Sequence, residues 1–457
     1  MNLLNSDKIK EKYKLLKESF TRNRKLGFRD IALLILKNTK NTLQTAMDTY
    51  MEAFKQEEKN YSKSSYTKAR AKITPSLFVM LNDELVQEYY KDNEEVQLYK
   101  NFRVLAIDGS TLQLPNVESI EAKKGNEPKK MSQEIREIYG YSSNSKGEYE
   151  TKARISVLVD VCNNVILEGI FNSYFSSEKD MAFEHIDYLV ELKTKSSQHF
   201  NDLIIFDRGY PSYALLLYLE KNSIDYVIRM PKSRFKEIDT FRQSDCDDTL
   251  IELKLTKTRL HDMKRKNSNT KVAQTLEDKK IGESLKLRAI KVSLDSGEVE
   301  ILITSLVDSK AYKTKIFKQL YFKRWGVEEE YKALKALMQV ENFTGITQIA
   351  INQDFFATIF MLNITNRIVS DIESENTQID NQTKPRKYRY KVNRNYSIGV
   401  IKDRFIYLVL TSGDIELFFK QIEEKLKKNL IPIKPGRTFA RKKNSRHKYP
   451  IAQKKAT

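Results

Sequence analysis

The sequence predicts a mixed α/β protein, in which helices cover a central sheet and further helices flank that sheet along the chain. Three patterns predict this class. Short apolar runs alternate with amphipathic segments from about residue 100 onward, as strands and helices do in α/β proteins. Residues 1–95 show helical apolar spacing, and a stretch rich in strand-forming residues, 231–306, interrupts the alternation.

These patterns divide the chain into five expected regions. A helical N-terminal region comes first, and an α/β core in two parts surrounds a β-rich insertion. A linker and a basic helical region follow. The expected bounds are 1–95 for the N-terminal region, 96–230 and 307–372 for the two parts of the core, 231–306 for the insertion and 373–457 for the C-terminal region.

The first part of the core contains two apolar runs that end on an acid. FRVLAID (102–108) and LIIFD (203–207) each predict a short buried strand. Between them, ARISVLVDVCNN (153–164) and VILEGIFN (165–172) predict a hairpin closed by an Asn-Asn turn, and 177–193 predicts an amphipathic helix. A hairpin, a helix and then alternating strands and helices indicate a mixed sheet with helices on its faces.

The insertion and the segment after it have different patterns. LIELKLTKTRL, LKLRAIKVSL and EVEILITSL predict strands, whereas HDMKRKNSNTKVAQ (261–274) is basic and poor in apolar residues and predicts a loop. Residues 313–338, KTKIFKQLYFKRWGVEEEYKALKALM, keep helical spacing without a break. They predict one long helix.

Composition excludes several classes of protein. The chain of 457 residues is 40% hydrophobic and 31% charged, and no apolar run approaches the roughly 20 residues of a membrane span. The N-terminus lacks the apolar stretch of a signal peptide, so we expect a cytoplasmic protein. The two cysteines offer no disulfide framework, the four histidines have no zinc-binding spacing, and no phosphate-binding nucleotide loop occurs. A metal site would have to be built from carboxylates.

Positive charge predicts a polyanionic partner. Lys and Arg number 80 against 61 Asp and Glu, a net charge of +19, and nucleic acid is the most common large polyanion. KPRKYRYKVNRNY (384–396) interleaves basic residues with tyrosines, SKSSYTKARAKITPS (62–76) is basic, and the tail 434–457 has nine Lys or Arg and no acid. Lys and Arg neutralise phosphates and tyrosines stack on bases, so we expect contact with nucleic acid. The tail is equally compatible with a solvated end.

Three acids lie at positions where a site could form. Asp108 and Asp207 end the two predicted buried strands, and Glu328 lies in the predicted long helix. Ligand sites in α/β sheets form at such strand ends. Each acid alone is also explained as a turn residue, an ion-pair partner or a solvated charge. Together, three carboxylates can hold two Mg²⁺ ions, which stabilise the entering and leaving oxygens of a phosphodiester displacement.

The predicted long helix carries a polar stripe. Tyr321, Arg324, Glu328 and Lys335 fall within an arc of roughly 60° at about 100° per residue. The stripe is either the solvated face of an amphipathic helix, with an Arg324–Glu328 pair contributing a few tenths of a kcal/mol, or a face turned toward a substrate.

These motifs together resemble the DDE transposases of the insertion sequence 4 family, whose signature is Tyr-x2-Arg-x3-Glu-x6-Lys. The four residues of the stripe match the signature without a gap, and Trp325 gives the Arg-Trp pair common in that family. IDGST (107–111) and DRGY (207–210) are similar to its two aspartate motifs. FTRNRKLGFRD and SSYTKARAKI are similar to its N-terminal region, so the resemblance covers nearly the whole chain.

The resemblance implies a ribonuclease-H-like catalytic domain with a β-rich insertion. Asp108, Asp207 and Glu328 would be the catalytic residues and the ligands of two Mg²⁺ ions, with Mn²⁺ as a substitute. The protein would bind the ends of its element, cleave them and join the 3′-OH to target DNA, a cut-and-paste reaction by a homodimer on paired ends. DNA contacts are implied for a further set of residues: Tyr321, Arg324, Lys335, Arg208, Tyr210 and Trp325.

Some alternatives stay open at this level. Certain relatives stabilise a flipped base with a tryptophan in the insertion, whereas the only tryptophan here is Trp325; Phe241 is the clearest aromatic in the insertion, and a hairpin intermediate is neither predicted nor excluded. The same site would suit a metal-dependent nuclease without strand transfer. A domesticated, transposase-derived DNA-binding protein is the non-enzymatic alternative. No membrane and no nucleotide cofactor are expected.

Overall fold

The computed structural model of the protein forms two compact units. The helical unit comprises Met1–Leu85, Thr111–Ala153 and Lys332–Thr457, and the sheet unit comprises Val86–Ser110 and Arg154–Tyr331. The structure describes residues 2–22, 26–37, 43–54, 62–91, 96–115, 131–143, 149–195, 200–266, 280–294, 297–382, 388–410 and 415–434. The five regions expected from the sequence stay a prediction.

The sheet unit is built on a mixed sheet with the strand order β2-β3-β1-β5-β6-β9-β8-β7, in which β4 also pairs with β3. The strands pair in parallel from β1 through β5 to β6 and antiparallel from β6 through β9 and β8 to β7. The strands of the chain before residue 310 are β1 (Phe102–Gln113), β2 (Tyr141–Ser143), β3 (Tyr149–Asp160), β4 (Val165–Ser173), β5 (Asn201–Phe206), β6 (Asp225–Arg229), β7 (Asp248–Lys254), β8 (Ser284–Ser293) and β9 (Val299–Thr304). The predicted mixed α/β class is confirmed.

Helices cover both faces of this sheet. Because successive side chains of a strand point to opposite faces, Leu105 and Ile107 of β1 lie in one apolar cluster and Val104 lies in the other. The first cluster includes Phe183 and Leu216, and the second includes Phe317. The helices of the sheet unit are α7 (Glu178–Lys195), α8 (Tyr213–Lys221), α9 (Lys236–Gln243), α10 (Lys257–Lys266), α11 (Lys315–Phe322) and α12 (Trp325–Lys332), whose last residue falls in the helical unit.

Two local predictions in this unit have different outcomes. The hairpin is confirmed, since β3 pairs with β4 across a turn in which Asn164 has a φ of 54°. The loop predicted at 261–274 is wrong for residues 261–266, which belong to α10. Leu260 and Met263 of α10, three residues apart, pack on the apolar cluster, and this packing overrides the polar composition of the segment. Residues 267–274 lie outside the described part.

The helical unit contains the remaining helices and a small two-stranded sheet. In that sheet β10 (Arg389–Val392) pairs antiparallel with β11 (Leu430–Ile433). The helices are α1 (Asp7–Tyr13), α2 (Phe28–Lys37), α3 (Leu43–Phe54), α4 (Lys63–Arg70), α5 (Ser76–Tyr90), whose last five residues belong to the sheet unit, α6 (Met131–Tyr139), α13 (Gln348–Gln382), α14 (Arg394–Leu410) and α15 (Ile415–Lys427). None of the described helices is long and apolar enough to cross a membrane.

One residue of the basic segment 62–76 has a structural role. Arg70 is 3% exposed, and its Nη2 and Nε atoms donate to Asp354 and Gln353 of α13, each over 2.7 Å. Removing one partner of such a buried pair costs about 3–5 kcal/mol, so this pair ties α4 to α13. Arg70 is therefore not available to a phosphate. The basic tail from residue 435 onward and residues 384–387 of the Tyr-rich segment lie outside the described residues.

Candidate active site

Asp108 lies just past the part of β1 that pairs with β5. The parallel register with β5 ends at Ala106 and Ile205, so Asp108 is at the carboxyl end of the paired strands. Its Oδ1 accepts the backbone N–H of Gly109 over 2.9 Å. Burial raises the pKa of Asp108 to about 6; the Gly109 N–H and the Arg324 charge oppose that shift, and Glu178 and Asp207 add to it. The negative charges of Glu178 and Asp207 therefore act on the Asp108 carboxylate.

Asp207 follows the last residue of β5 and is held by two neighbours. The Tyr321 hydroxyl donates to its Oδ1 over 3.1 Å. Arg229, at the end of the next parallel strand, places Nη1 at 3.6 Å from the same oxygen and also pairs with Glu300. Because β1, β5 and β6 run parallel, their carboxyl ends meet at one edge of the sheet, which is why Asp108, Asp207 and Arg229 share a neighbourhood.

Glu328 joins this neighbourhood through Arg324. Arg324 Nη2 donates to Glu328 Oε1 over 2.8 Å, and its guanidinium lies 5.8 Å from the ring centre of Tyr321 and 5.3 Å from that of Trp325. The Glu328 side chain is 36% exposed. Asp207 and Glu328 are thus linked through Tyr321 and Arg324, whereas Asp108 is coupled to them only through the charges of Arg324 and Asp207.

The predicted single helix through this region is wrong. The chain forms α11, a tight turn and α12, followed by a π-helical turn at Ala333–Leu337. Across residues 323–327 the backbone makes i→i−3 hydrogen bonds in place of i→i−4 bonds, for example Arg324 N–H to Tyr321 O over 3.0 Å. A Cβ added at Gly326 would lie 3.0 Å from Val161, so the turn also brings the backbone close to β3. Tyr321, Arg324, Glu328 and Lys335 therefore do not lie on one face of a single helix, as the sequence predicted.

Lys335 falls in a different unit from the other three residues of the stripe. Lys335 belongs to the helical unit, where its Nζ donates to the carbonyl of Thr111 over 2.6 Å. Burial lowers the pKa of this ammonium, and Glu341 opposes that shift. Its predicted contact with DNA stays a prediction.

The other predicted DNA contacts differ in exposure. Arg208 is exposed in the turn after Asp207, and Trp325 is 42% exposed at the start of α12. Tyr210 is only 2% exposed and packs against Phe206, with ring centres 5.4 Å apart. A DNA contact by Tyr210 would require this part of the core to open. Phe241 is 4% exposed and lies in the same apolar cluster.

Two contributors to the site were not found from the sequence. Glu178, at the start of α7, accepts from Arg154 Nη1 over 2.5 Å and packs against Gly109, where an added Cβ would lie 2.5 Å from Glu178 Cγ. The glycine of IDGST thus allows α7 to approach β1. Tyr331 donates its hydroxyl to the carbonyl of Asp108 over 2.6 Å. In the sequence Tyr331 belongs to the apolar stripe of its helix, and only its hydroxyl, which needs a partner when buried, could have signalled this role.

Replacing Tyr331 by Phe tests that contact. We expect a loss of about 1 kcal/mol in the free energy of unfolding, since one buried hydrogen bond is removed with little change of shape. The strand cleavage that the resemblance predicts should fall about tenfold, because Asp108 loses one of its backbone anchors. Thermal unfolding and cleavage rates measure the two effects. Tyr218→Phe, which removes a hydroxyl bound to Asp187 on α7, is the control and should leave cleavage unchanged.

The donor chemistry of the site fits a divalent cation. Carboxylate oxygens are the ligands that Mg²⁺ prefers, and the raised pKa of Asp108 shows a buried acid that a cation would compensate. Glu328 is bound to Arg324 and Asp207 to Tyr321, so each would exchange a protein partner for the ion. As the side chains are placed, the described residues contain no group of three or more His, Cys, Asp or Glu that could hold a metal ion.

The fold and the site define the class of protein: an α/β protein with an acidic site at the carboxyl ends of parallel strands. Residues 100–364, more than half of the chain, match the family model described as Transposase DDE domain. This protein therefore belongs to the DDE transposase family, and the matched range contains Asp108, Asp207 and Glu328. The predicted family is confirmed at that level, whereas membership in the insertion sequence 4 branch stays a prediction.

The cryo-EM structure of piggyBac transposase synaptic complex with hairpin DNA aligns with 96% of this chain and 86% of its own, with 13% identity and a TM-score of 0.41. No curated protein matches the chain.

Proposed function

We propose that this protein is the transposase of a bacterial insertion sequence and moves its element by cut-and-paste. It binds the ends of the element, cleaves the DNA there and joins each 3′-OH to target DNA. The observation that carries the proposal is the network of Asp207, Tyr321, Arg324 and Glu328 beside Asp108. The net charge of +19 supports DNA as the substrate.

The chemistry needs few groups from the protein. In the first step water forms a bond to phosphorus, the P–O3′ bond breaks, and O3′ takes a proton. In the second step this 3′-OH attacks a target phosphodiester and another P–O3′ bond breaks, so no nucleotide cofactor is required. Two Mg²⁺ ions, or Mn²⁺ in their place, would be held by Asp108, Asp207 and Glu328 and would stabilise the entering and leaving oxygens.

The residues around the acids have separate roles in this proposal. The exposed Arg208 donates to a phosphate oxygen of the DNA strand, which suits the fork geometry of guanidinium. Arg324 is 6% exposed and bound to Glu328, so it donates to a phosphate only once Glu328 releases it. The Tyr321 hydroxyl orients Asp207, and the exposed ring of Trp325 is available for stacking. We further propose a ribonuclease-H-like core, a homodimer on paired ends and a cytoplasmic, nucleoid-associated location.

Cleavage of a supercoiled plasmid that carries the DNA flanking this gene tests the proposal. Cuts at discrete ends and joined products, formed only with Mg²⁺ or Mn²⁺, would support the transposase. Nicks without joining would favour a metal-dependent nuclease. Tight binding without any cutting would favour a transposase-derived DNA-binding protein. One protomer per paired-end complex, measured by light scattering, would contradict the homodimer.

DNA binding should depend steeply on salt. Each phosphate contact by Lys or Arg contributes a slope of about −0.9 to a plot of log K against log salt concentration. Arg208→Gln should therefore make that slope shallower by about one unit, because an exposed cation beside Asp207 is lost. Lys286→Gln removes one exposed charge from β8 and is the matched control. Equal slopes for wild type and Arg208→Gln would contradict the contact.

A further inference from the structure

A buried chain of hydrogen bonds leads to Asp108 from the side of the core. Glu168 Oε2 on β4 lies 2.7 Å from His185 Nδ1 on α7, and His185 Nε2 lies 3.0 Å from Ser156 Oγ on β3. Ser156 Oγ in turn donates to the backbone carbonyl of Asp108 over 3.0 Å. His185 and Ser156 are both 0% exposed. None of these three side chains has a part in the proposed reaction.

Ser156, His185 and Glu168 are the residue types of a nucleophilic triad, but they cannot act as one. A serine nucleophile must reach a substrate, whereas Ser156 is fully buried and its hydroxyl is directed to a backbone carbonyl. His185 is fully buried on α7, the helix that also contributes Ile186 and Leu189 to the first cluster. The arrangement is therefore inward-facing, and its end point is the Asp108 peptide.

One distribution of protons lets Ser156 hold the Asp108 carbonyl. A serine hydroxyl has one proton, and a carbonyl oxygen can only accept, so Ser156 spends its proton on Asp108. His185 Nε2 must then donate to Ser156 Oγ, and Nδ1 donates to the Glu168 carboxylate. In this arrangement both ring nitrogens of His185 are donors, one toward Ser156 and the other toward Glu168. A neutral ring would instead draw the Ser156 proton toward Nε2 and release Asp108.

The held carbonyl belongs to a part of β1 that needs support. The register with β5 ends two residues before Asp108. Ser156 and Tyr331 both donate to the Asp108 carbonyl, from β3 and α12 respectively. The next peptide N–H, that of Gly109, donates to the Asp108 carboxylate. The direction of the peptide plane and the direction of the carboxylate are thus coupled.

We propose that Ser156, His185 and Glu168 are positioning residues, which hold the Asp108 peptide so that its carboxylate points at a divalent cation. Hydrogen bonds that hold a metal-binding residue in place orient its ligand atoms and raise metal affinity. This inference rests on one part of the proposed function, namely that Asp108 binds a divalent cation.

The proton arrangement is tested by nitrogen NMR of protein labelled in the histidine rings. The chain has four histidines, and the signals of His185 are those lost in His185→Gln. Both ring nitrogens of His185 should be protonated in the wild type. An unprotonated Nε2 would mean that Ser156 donates to the ring and not to Asp108, which overturns the proposal.

The positioning role is tested by Mn²⁺ binding, measured from the electron paramagnetic resonance signal of the free ion. Ser156→Ala should weaken Mn²⁺ binding about tenfold, and strand cleavage should recover at saturating metal. Thr304→Val removes another buried hydroxyl, which donates to the Tyr226 carbonyl over 2.6 Å, and should leave Mn²⁺ affinity unchanged. Should Ser156→Ala fail to fold, Glu168→Gln is the second variant, with the same expected loss of affinity.

The outcomes separate the two proposals. Unchanged Mn²⁺ affinity in Ser156→Ala, beside a wild type that binds the ion and cuts DNA, overturns the positioning role alone. A wild type that neither binds Mn²⁺ nor cuts DNA overturns the metal-dependent function and with it the positioning role.

Discussion

Replacing Glu328 by Gln should reduce strand cleavage about 1,000-fold or more. The change keeps the shape of the side chain but removes a negative charge from the acidic site, and loss of a ligand to a catalytic metal is worth several kcal/mol of transition-state stabilisation. Folding should change little, because the Arg324–Glu328 pair is an i, i+4 pair on a partly exposed helix, worth a few tenths of a kcal/mol. Cleavage rates, DNA affinity and thermal unfolding measure the three effects.

The neighbouring residue supplies a matched control. Glu329 is exposed on the same helix, about 100° away around its axis, so Glu329→Gln removes the same charge from a different face. We expect Glu329→Gln to cut DNA like the wild type. More than a tenth of wild-type cleavage in Glu328→Gln would contradict a role for Glu328 in the chemistry.

Replacing Asp108 by Asn should lower cleavage as strongly, about 1,000-fold or more, and yet stabilise the metal-free protein at neutral pH. The pKa of Asp108 is raised by burial to about 6 in the folded state, above its ordinary value of 3.8. Between those values the folded state binds more protons than the unfolded state, so stability falls as pH rises from about 4 to about 6. At pH 7 the ionised carboxylate of Asp108 lowers the free energy of unfolding, and the neutral amide of Asn does not.

Thermal unfolding against pH measures this effect. Asp108→Asn should unfold at a higher temperature than the wild type at pH 7 without metal, and the difference should vanish near pH 4. Mn²⁺ should raise the unfolding temperature of the wild type and not that of the variant. Asp308→Asn is a control of opposite sign, because the backbone N–H groups of Ala311 and Lys310 lower the pKa of Asp308. A less stable Asp108→Asn at pH 7 would contradict the raised pKa.

Apolar patterns in the sequence were sufficient to predict some strands and helices but not where every one of them ends. The strands that lead to Asp108 and Asp207 were predicted because runs such as LIIFD are apolar on both faces, and both faces of that sheet are covered. The predicted strand end at Asp108 is wrong, because β1 continues to Gln113. The helix through Arg324 was predicted as continuous because apolar spacing does not register a single turn of i→i−3 bonds. Gly326 was the one local signal of that break.

Polar residues inside the fold were harder to place. Arg70 has the local sequence of a phosphate-binding residue, but its partner Asp354 is 284 residues away in the chain. The chain from Glu168 through His185 to Ser156 joins three elements, and no spacing in the sequence brings them together. Tyr210 follows the second aspartate motif like an exposed contact residue and is nevertheless buried.

The sequence by itself determined the α/β class, the family motifs and the three acids, because apolar periodicity and motif spacing are local properties of the chain. Only the tertiary structure decided which groups surround those acids: Tyr321 on Asp207, Arg324 on Glu328, and Ser156 with Tyr331 on the Asp108 carbonyl. The physical reason is that a hydrogen bond depends on distances of about 3 Å between atoms, whereas the residues that make these bonds are up to 223 positions apart.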